Sequence, residues 1–381
     1  MKVAFVYDRV NKWGGAERVL LGLHELFPDA PLYTAVYHPQ MAPWAKEFKV
    51  IPSFLNKFPL AKSRHEAYPH LMPLAFESFD FSGYDVVLSI TSEAAKGIIT
   101  KPETLHLCYC LTPTRYLWSG YQEYFQNKAF RFLTKPIVLY LRSWDKIAAQ
   151  RPDVYLTISE NVKKRINKYY SRNSEVIYPP VDLKKFQILP QSGIPLRGTN
   201  SKFQTNSKFK IQNSKFFLVV SRLDFGYKKV DLAIEAFNQL GLPLKIIGTG
   251  TQMRNLKRKA KKNIEFLGQL TDKELLGYYG RCQAVIFPQE EDFGLVPLEA
   301  QACGKPVIAY RGGGALETVR EGPTGVFFSP QTAEALVKTV ANFRPEKFDP
   351  DDCRRNTKRF SQERFKKKIK RLIEKEWKKT K

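Results

Sequence analysis

Glu291-Asp-Phe-Gly-Leu-Val-Pro-Leu-Glu299 sits between two apolar runs, Ala284-Val-Ile-Phe287 and Pro306-Val-Ile-Ala309. Runs of that kind read as buried strands, and the stretch between them as a loop and a short helix stopped by Gly304. Strand, loop, helix and strand in that order make half of a parallel α/β unit. In such sheets ligands sit outside the carboxyl ends of the strands, where the next helix offers backbone N–H groups to an anion. One carboxylate, Glu291, precedes this helix and a second, Glu299, lies inside it. A carboxylate accepts two hydroxyl hydrogen bonds at once, which suits a ribose or sugar diol, while the amides of Leu295 and Val296 suit a phosphate. One short segment thus serves both a polyol and an anion.

The alternation continues on both sides. Strand-like runs at 216–220, 244–248 and 263–267, with helical spacing at 230–240 and 272–279, extend the unit towards the N-terminus. A separate series has strands at 2–7, 85–89, 106–110, 154–158 and 176–178. Its first helix follows Gly14-Gly15 and ends at Pro28. Pro179-Pro180-Val181-Asp182 breaks any regular element and divides the two series. Asn-Ser-Lys-Phe recurs from Asn200, Asn206 and Asn213, so about 190–215 reads as a low-complexity insertion in a surface loop. At the end of the chain Phe365, Ile369, Leu372, Ile373 and Trp377 form one apolar stripe on a cationic helix. Such a stripe docks on a domain as its usual fate, and a membrane-surface contact is the sharper alternative.

A length of 381 residues with 43% apolar content suits two globular domains. Five cysteines, an odd number set inside strand- and helix-like segments, read as free thiols of a reducing compartment. The N-terminus reads as a first strand, not a signal peptide, and no run of eighteen apolar residues occurs. The net charge of +25 favours anionic partners: nucleic acid, an anionic membrane surface or phosphorylated substrates. No nucleic-acid-binding module is recognised among the basic residues, so no nucleic acid is expected as partner.

Glu-x7-Glu followed by Ala300-Gln-Ala-Cys-Gly-Lys-Pro-Val307 resembles the retaining, two-domain glycosyltransferases of GT-B fold, of the family 4 (group 1) type. The resemblance extends over nearly the whole chain. It implies two Rossmann-like parallel-sheet domains facing a cleft. Residues 1–182 would be the acceptor domain, 183–359 would bind a nucleotide sugar, and 360–381 would form a helix returning to the first domain. Ser221-Arg222 and Lys228-Lys229 resemble the pair that grips the diphosphate, with Lys228 or Lys229 left open; Glu291 joins Arg222 and Lys228 as a catalytic candidate. The resemblance further implies donor contacts from Gly14 and Gly15 (in Gly-Gly-Ala-Glu-Arg18), Gly268, Leu270, Phe293, Gly294, Leu295, Val296 and Glu299. Leu111 stands where many relatives carry a histidine. Arg115, Lys229, Glu93 and Lys96 are further cleft candidates, and His106 reads as structural. The one Asp-x-Asp spacing, Asp349-Pro-Asp351, reads as a polar turn, so no metal cofactor is expected.

The expected reaction moves a hexose from a nucleoside-diphosphate sugar to a glycan or lipid-linked acceptor at the cytoplasmic face of a membrane. GDP-mannose is the favoured donor, because relatives with Gly-Gly-Ala-Glu-Arg and Cys110-Leu-Thr-Pro-Thr-Arg-Tyr116 segments often use it. The rival readings are a non-catalytic nucleotide-sugar-binding protein and a basic nucleic-acid-binding protein.

Overall fold

Alternating strands and helices fold into parallel sheets because each helix carries the chain back to the start of the next strand. In the computed structural model, which describes residues 1–187, 216–224 and 226–380, every pairing within the two sheets is parallel. The chain divides into two compact units, Met1–Pro180 with Gln362–Lys381, and Val181–Ser361.

In the first unit the strands are β1 (Val3–Tyr7), β2 (Leu32–Thr34), β3 (Val50–Pro52), β4 (Val86–Thr91), β5 (Leu105–Cys110), β6 (Val154–Thr157) and β7 (Glu175–Val176), in the order β3-β2-β1-β4-β5-β6-β7. Strands β1, β4 and β5 are buried along their whole length, as expected for a sheet covered on both faces. The strand order reverses between β1 and β4. There the Asp8 carboxylate accepts hydrogen bonds from the Thr91 hydroxyl and the amides of Ser92, Glu93, Ala94 and Ala95, at 2.6–3.0 Å.

In the second unit β8 (Phe217–Val220), β9 (Leu244–Ile247), β10 (Ile264–Gly268), β11 (Val285–Phe287), β12 (Val307–Tyr310) and β13 (Gly325–Phe328) lie in the order β10-β9-β8-β11-β12-β13. Here the reversal falls between β8 and β11. One sheet face is covered by the helices Val230–Leu240 and Ala333–Ala341, whose buried Ile234, Phe237, Leu336 and Val340 pack with β8 and β9.

Most expected elements are present within one to three residues at each end. Strands β2, β3 and β13 were not anticipated, nor were several helices, among them Glu160–Tyr170, Met253–Lys259, Ala333–Ala341, Pro350–Thr357 and, the longest, Lys128–Ala148. Strands of three or four residues give little periodicity to read. In the longest helix the apolar stripe faces solvent and Pro136 interrupts the run, so it does not read as a core-facing helix. The C-terminal helix, Gln362–Trp377, belongs to the first unit. Its Phe365, Ile369, Leu372 and Ile373 are buried, so its stripe docks inward and is not offered to a membrane. Phe365 meets Tyr109 edge-on at 6.0 Å, and Glu25 accepts hydrogen bonds from Lys366 and Gln362. Gly22 makes room: a Cβ there would stand 3.4 Å from Pro180 and 3.5 Å from Phe365. The insertion expected at about 190–215 lies outside the described residues.

Lys96 is a correction. It is buried, and its ammonium is bound by the Asp145 carboxylate at 2.6 Å, so it lines no cleft. Asp145 also accepts from the Thr114 hydroxyl, the Trp118 indole and the Tyr170 hydroxyl, at 2.7–3.0 Å. The carboxylate thus ties the helix Lys128–Ala148 to three other segments. Removing it leaves a buried ammonium uncompensated. Asp145→Ala should lower the urea-unfolding free energy by about 3–5 kcal/mol. Lys96→Met should cost clearly less, because three neutral donors still serve Asp145. Equal losses in the two variants would refute this account.

Candidate active site

At a strand-order reversal the loops leaving two neighbouring parallel strands diverge to opposite faces and open a crevice at the carboxyl edge. In the second unit those loops are Ser221–Asp224, after β8, and Pro288–Gly294, after β11. The first is held largely by backbone, with Asp224 Oδ1 also accepting the Thr251 amide at 3.0 Å. Ser221 donates to the Ile247 carbonyl at 3.0 Å, Leu223 to Thr249 at 2.9 Å, and Gln252 returns to the Leu223 carbonyl at 2.8 Å. Gly248, at φ 138°, would place a Cβ 1.8 Å from the Ser221 oxygen, so no side chain fits there. Leu223 is buried, while Arg222 is exposed with no side-chain partner among the described residues. An anchored turn thus presents a cation outward.

The short turn Gly226–Lys228 follows, and the Lys228 ammonium forms an ion pair with Glu291 Oε1. Lys229 instead caps the helix Val230–Leu240 in a left-handed conformation, φ 51°. Of the two lysines the sequence left open, Lys228 is the one joined to Glu291. Gln289 also donates to Glu291 Oε1, at 3.3 Å, and Oε2 has no partner among the described residues.

Gly294, at φ 91°, turns the chain into the helix Leu295–Ala302. The first amides of a helix lack intrahelical partners. Pro297 has no N–H to offer, so Leu295 and Val296 supply the outward donors of this first turn. The Phe293 ring is buried against Phe360, centroids 5.6 Å apart, so only its backbone is available to a ligand. Glu299 is 4% exposed and accepts the Tyr279 hydroxyl at 2.9 Å. A carboxylate has capacity for further donors.

Two features went unread in the sequence. One is Tyr279, whose apolar neighbours mark only a helix. The other is Gly312-Gly313-Gly314 after β12, whose signal is three successive glycines at a strand end. Gly314 donates its amide to the Glu291 carbonyl at 2.8 Å. A Cβ on Gly313 would lie 2.4 Å from that carbonyl oxygen, and one on Gly314 would lie 2.3 Å from Phe293 Cα. This loop therefore supports Glu291 and the helix start from beneath. Gly268 ends β10 at φ 69° and its carbonyl accepts the Gly248 amide at 2.8 Å, which links the β9 and β10 loops. Leu270 is half-buried just before the capping box of Thr271 and Glu274.

In the first unit Gly14 and Gly15 open the helix Gly15–His24. A Cβ on Gly14 would meet the Glu17 carboxylate at 3.2 Å, and that carboxylate accepts the Tyr7 hydroxyl at 2.7 Å. Burial pushes the Tyr7 hydroxyl well above its ordinary pKa. Glu93 is paired with Arg9. His65 lies 3.8 Å from Glu93, and burial, reinforced by Arg9, lowers it to about 4. His106 is buried against the Ser89 hydroxyl at 2.8 Å and is lowered to about 3 by burial, which keeps it neutral and structural. Leu111 and Arg115 are half-buried in the turn after β5. Asp349 caps the helix Pro350–Thr357 by accepting the Asp351 amide at 2.8 Å, which gives the Asp-x-Asp spacing a local purpose.

Residues 200–360 match the family model described as glycosyl transferases group 1. The alpha-1,3/1,6-mannosyltransferase ALG2 of Dictyostelium discoideum is 29% identical over 216 residues, 48% of this chain and 49% of that protein. The GDP-mannose-dependent alpha-(1-6)-phosphatidylinositol monomannoside mannosyltransferase of Mycolicibacterium smegmatis is 26% identical over 210 residues, 50% of this chain and 52% of that protein. The chain thus spans about half the length of these curated relatives. Among solved structures, Anabaena Alr3699/HepE in complex with UDP superposes with a TM-score of 0.71 at 16% identity, covering 98% of this chain and 100% of that one. The likeness shows the fold. With its two parallel-sheet units this chain has the GT-B fold, and it carries a match to the glycosyltransferase group 1 family over residues 200–360.

Proposed function

We propose that the chain transfers a hexose from a nucleoside-diphosphate sugar to a glycan or lipid-linked acceptor, with retention of anomeric configuration. The observation that carries this reading is the company at the carboxyl ends of β8 and β11. Arg222, the Lys228–Glu291 pair and the first turn of Leu295–Ala302 all follow these two adjacent strands. Breaking the bond between sugar and diphosphate leaves charge on the phosphate oxygens. Arg222 offers a planar fork to two of them and Lys228 a point charge. The amides of Leu295 and Val296 add dipoles that need no reorganisation. These groups take the part a metal ion plays elsewhere, so the reading has no metal cofactor.

Glu291 holds Lys228 through Oε1 and turns Oε2 to hydroxyls of the transferred sugar. Glu299, fixed by Tyr279, receives the ribose hydroxyls, and backbone groups around Gly268 and Leu270 face the base. The acceptor hydroxyl attacks from the leaving group's own side and its proton passes to a diphosphate oxygen, so no general-base dyad is required. The first unit, with Gly14, Gly15, Leu111 and Arg115, is assigned to the acceptor. Mannose is the favoured sugar, supported by the two mannosyltransferase relatives. GDP is supported by the mycobacterial one, whereas UDP is the nucleotide bound by the Anabaena protein. Among the described residues no helix is long and apolar enough to cross a membrane. The reading has the lipid-linked acceptor met by contact with an anionic surface, assigned here to the cytoplasmic side.

A thermal-shift series with GDP-, UDP- and ADP-sugars tests the reading, since the true donor raises the melting temperature by mass action. No shift with any of them would refute it. Arg222→Ala should lower turnover by about 10²-fold or more at unchanged melting temperature; full activity would remove Arg222 from the diphosphate site. Glu299→Ala should weaken donor binding in calorimetry by about 1–3 kcal/mol. Tyr279→Phe, which leaves the carboxylate in place, should change affinity much less. Unchanged affinity in Glu299→Ala would end its ribose role.

A further inference from the structure

Among the described residues, the helix Lys128–Ala148 carries the largest group of exposed apolar side chains. Phe132 and Leu133 are 77% and 74% exposed, and Phe130, Ile137, Leu139, Tyr140 and Ile147 are exposed too. Only Val138, Leu141, Asp145 and Ala148 are buried. At 100° per residue the seven exposed side chains fall within an arc of about 180° that borders the buried side, and within it only Trp144, which donates to Glu77, turns inward. Surface apolar residues are ordinary when scattered, but a contiguous band on one helix marks a contact site.

The charges on the same helix have one sign at the surface. Lys128, Lys135 and Lys146 are exposed and fall within about 20° of one another, along one border of the apolar arc. Arg131 and Arg142 are half-buried. The single acidic residue, Asp145, is buried and neutralised by Lys96. Glu123, in the short helix Tyr121–Tyr124 that precedes it, is an exposed carboxylate. A protein–protein interface core is depleted in lysine. A lysine row bordering inserted rings suits a surface with an apolar interior and phosphate headgroups, to which lysine stems reach while their rings' neighbours stay in hydrocarbon.

We propose that this helix lies flat on an anionic lipid bilayer, with Phe132, Leu133 and Tyr140 in the acyl boundary and Lys128, Lys135 and Lys146 on lipid phosphates. Its 21 residues span about 32 Å parallel to the surface. This assignment needs none of the donor-site chemistry. It also places the contact away from the C-terminal helix, whose apolar stripe is buried.

Sedimentation of the full chain with vesicles of phosphatidylglycerol and phosphatidylcholine, against phosphatidylcholine alone, tests it. The wild type should partition at least tenfold better onto the anionic vesicles. Phe132→Glu combined with Leu133→Glu should reduce that partitioning at least tenfold. Each Lys→Gln at 128, 135 and 146 should reduce it roughly fivefold at low salt. Lys→Gln at 367, 368 and 370, on the C-terminal helix, should change it less than twofold. Leu139→Glu with Tyr140→Glu repeats the test on the same face should the first pair fold poorly by circular dichroism. Wild-type partitioning in both acidic pairs overturns the proposal. So does a wild-type dimer in sedimentation velocity that the acidic pairs convert to monomer with vesicle binding intact, since the face is then an interface between copies.

Discussion

Backbone packed directly on backbone at the carboxyl edge of the second sheet is the constraint on which the candidate site depends. Gly248 lets the β9 loop touch Ser221, and Gly313 and Gly314 let the β12 loop touch Glu291 and Phe293. A side chain at any of these positions would push apart the two turns that carry Arg222 and Glu291. The chemistry-bearing side chains are therefore held by residues with none. Their rigidity comes from amide–carbonyl bonds, which no rotamer change can loosen.

The first unit meets the same topological problem with opposite means. Its strand-order reversal, between β1 and β4, is filled by the buried Asp8 carboxylate bound to four successive amides, with Arg9, Glu93 and His65 beside it. Desolvation raises Asp8 above the usual carboxylate range even as those amides pull it down. One reversal is a packed polar knot and the other an exposed cationic edge, although the sheets share a plan.

Much of this was legible in the sequence where a residue type has a single structural meaning. Apolar runs of four to six residues gave the long strands, and the Glu-x7-Glu spacing located the helix start with its two carboxylates. Phe365, Ile369, Leu372 and Ile373 defined a helix face correctly, though only packing reveals that the face turns inward. What stayed hidden depends on contacts distant in sequence. Lys96 reads as a loop cation until Asp145, 49 residues on, is seen to bury it. Phe293 reads as part of a binding motif until Phe360 claims its ring. The helix Lys128–Ala148 was missed because its exposed face is apolar, the reverse of the pattern that amphipathic reasoning seeks.

The Lys228–Glu291 pair gives the crevice an internal counter-ion. An anion that captures the ammonium strands a half-buried carboxylate, so bare phosphate must displace a partner that is already satisfied. A guest bearing hydroxyls beside its phosphate relieves both groups at once. Under the proposed function the pair is a coincidence detector: a guest presenting one chemistry alone is to be held weakly, and one presenting both firmly.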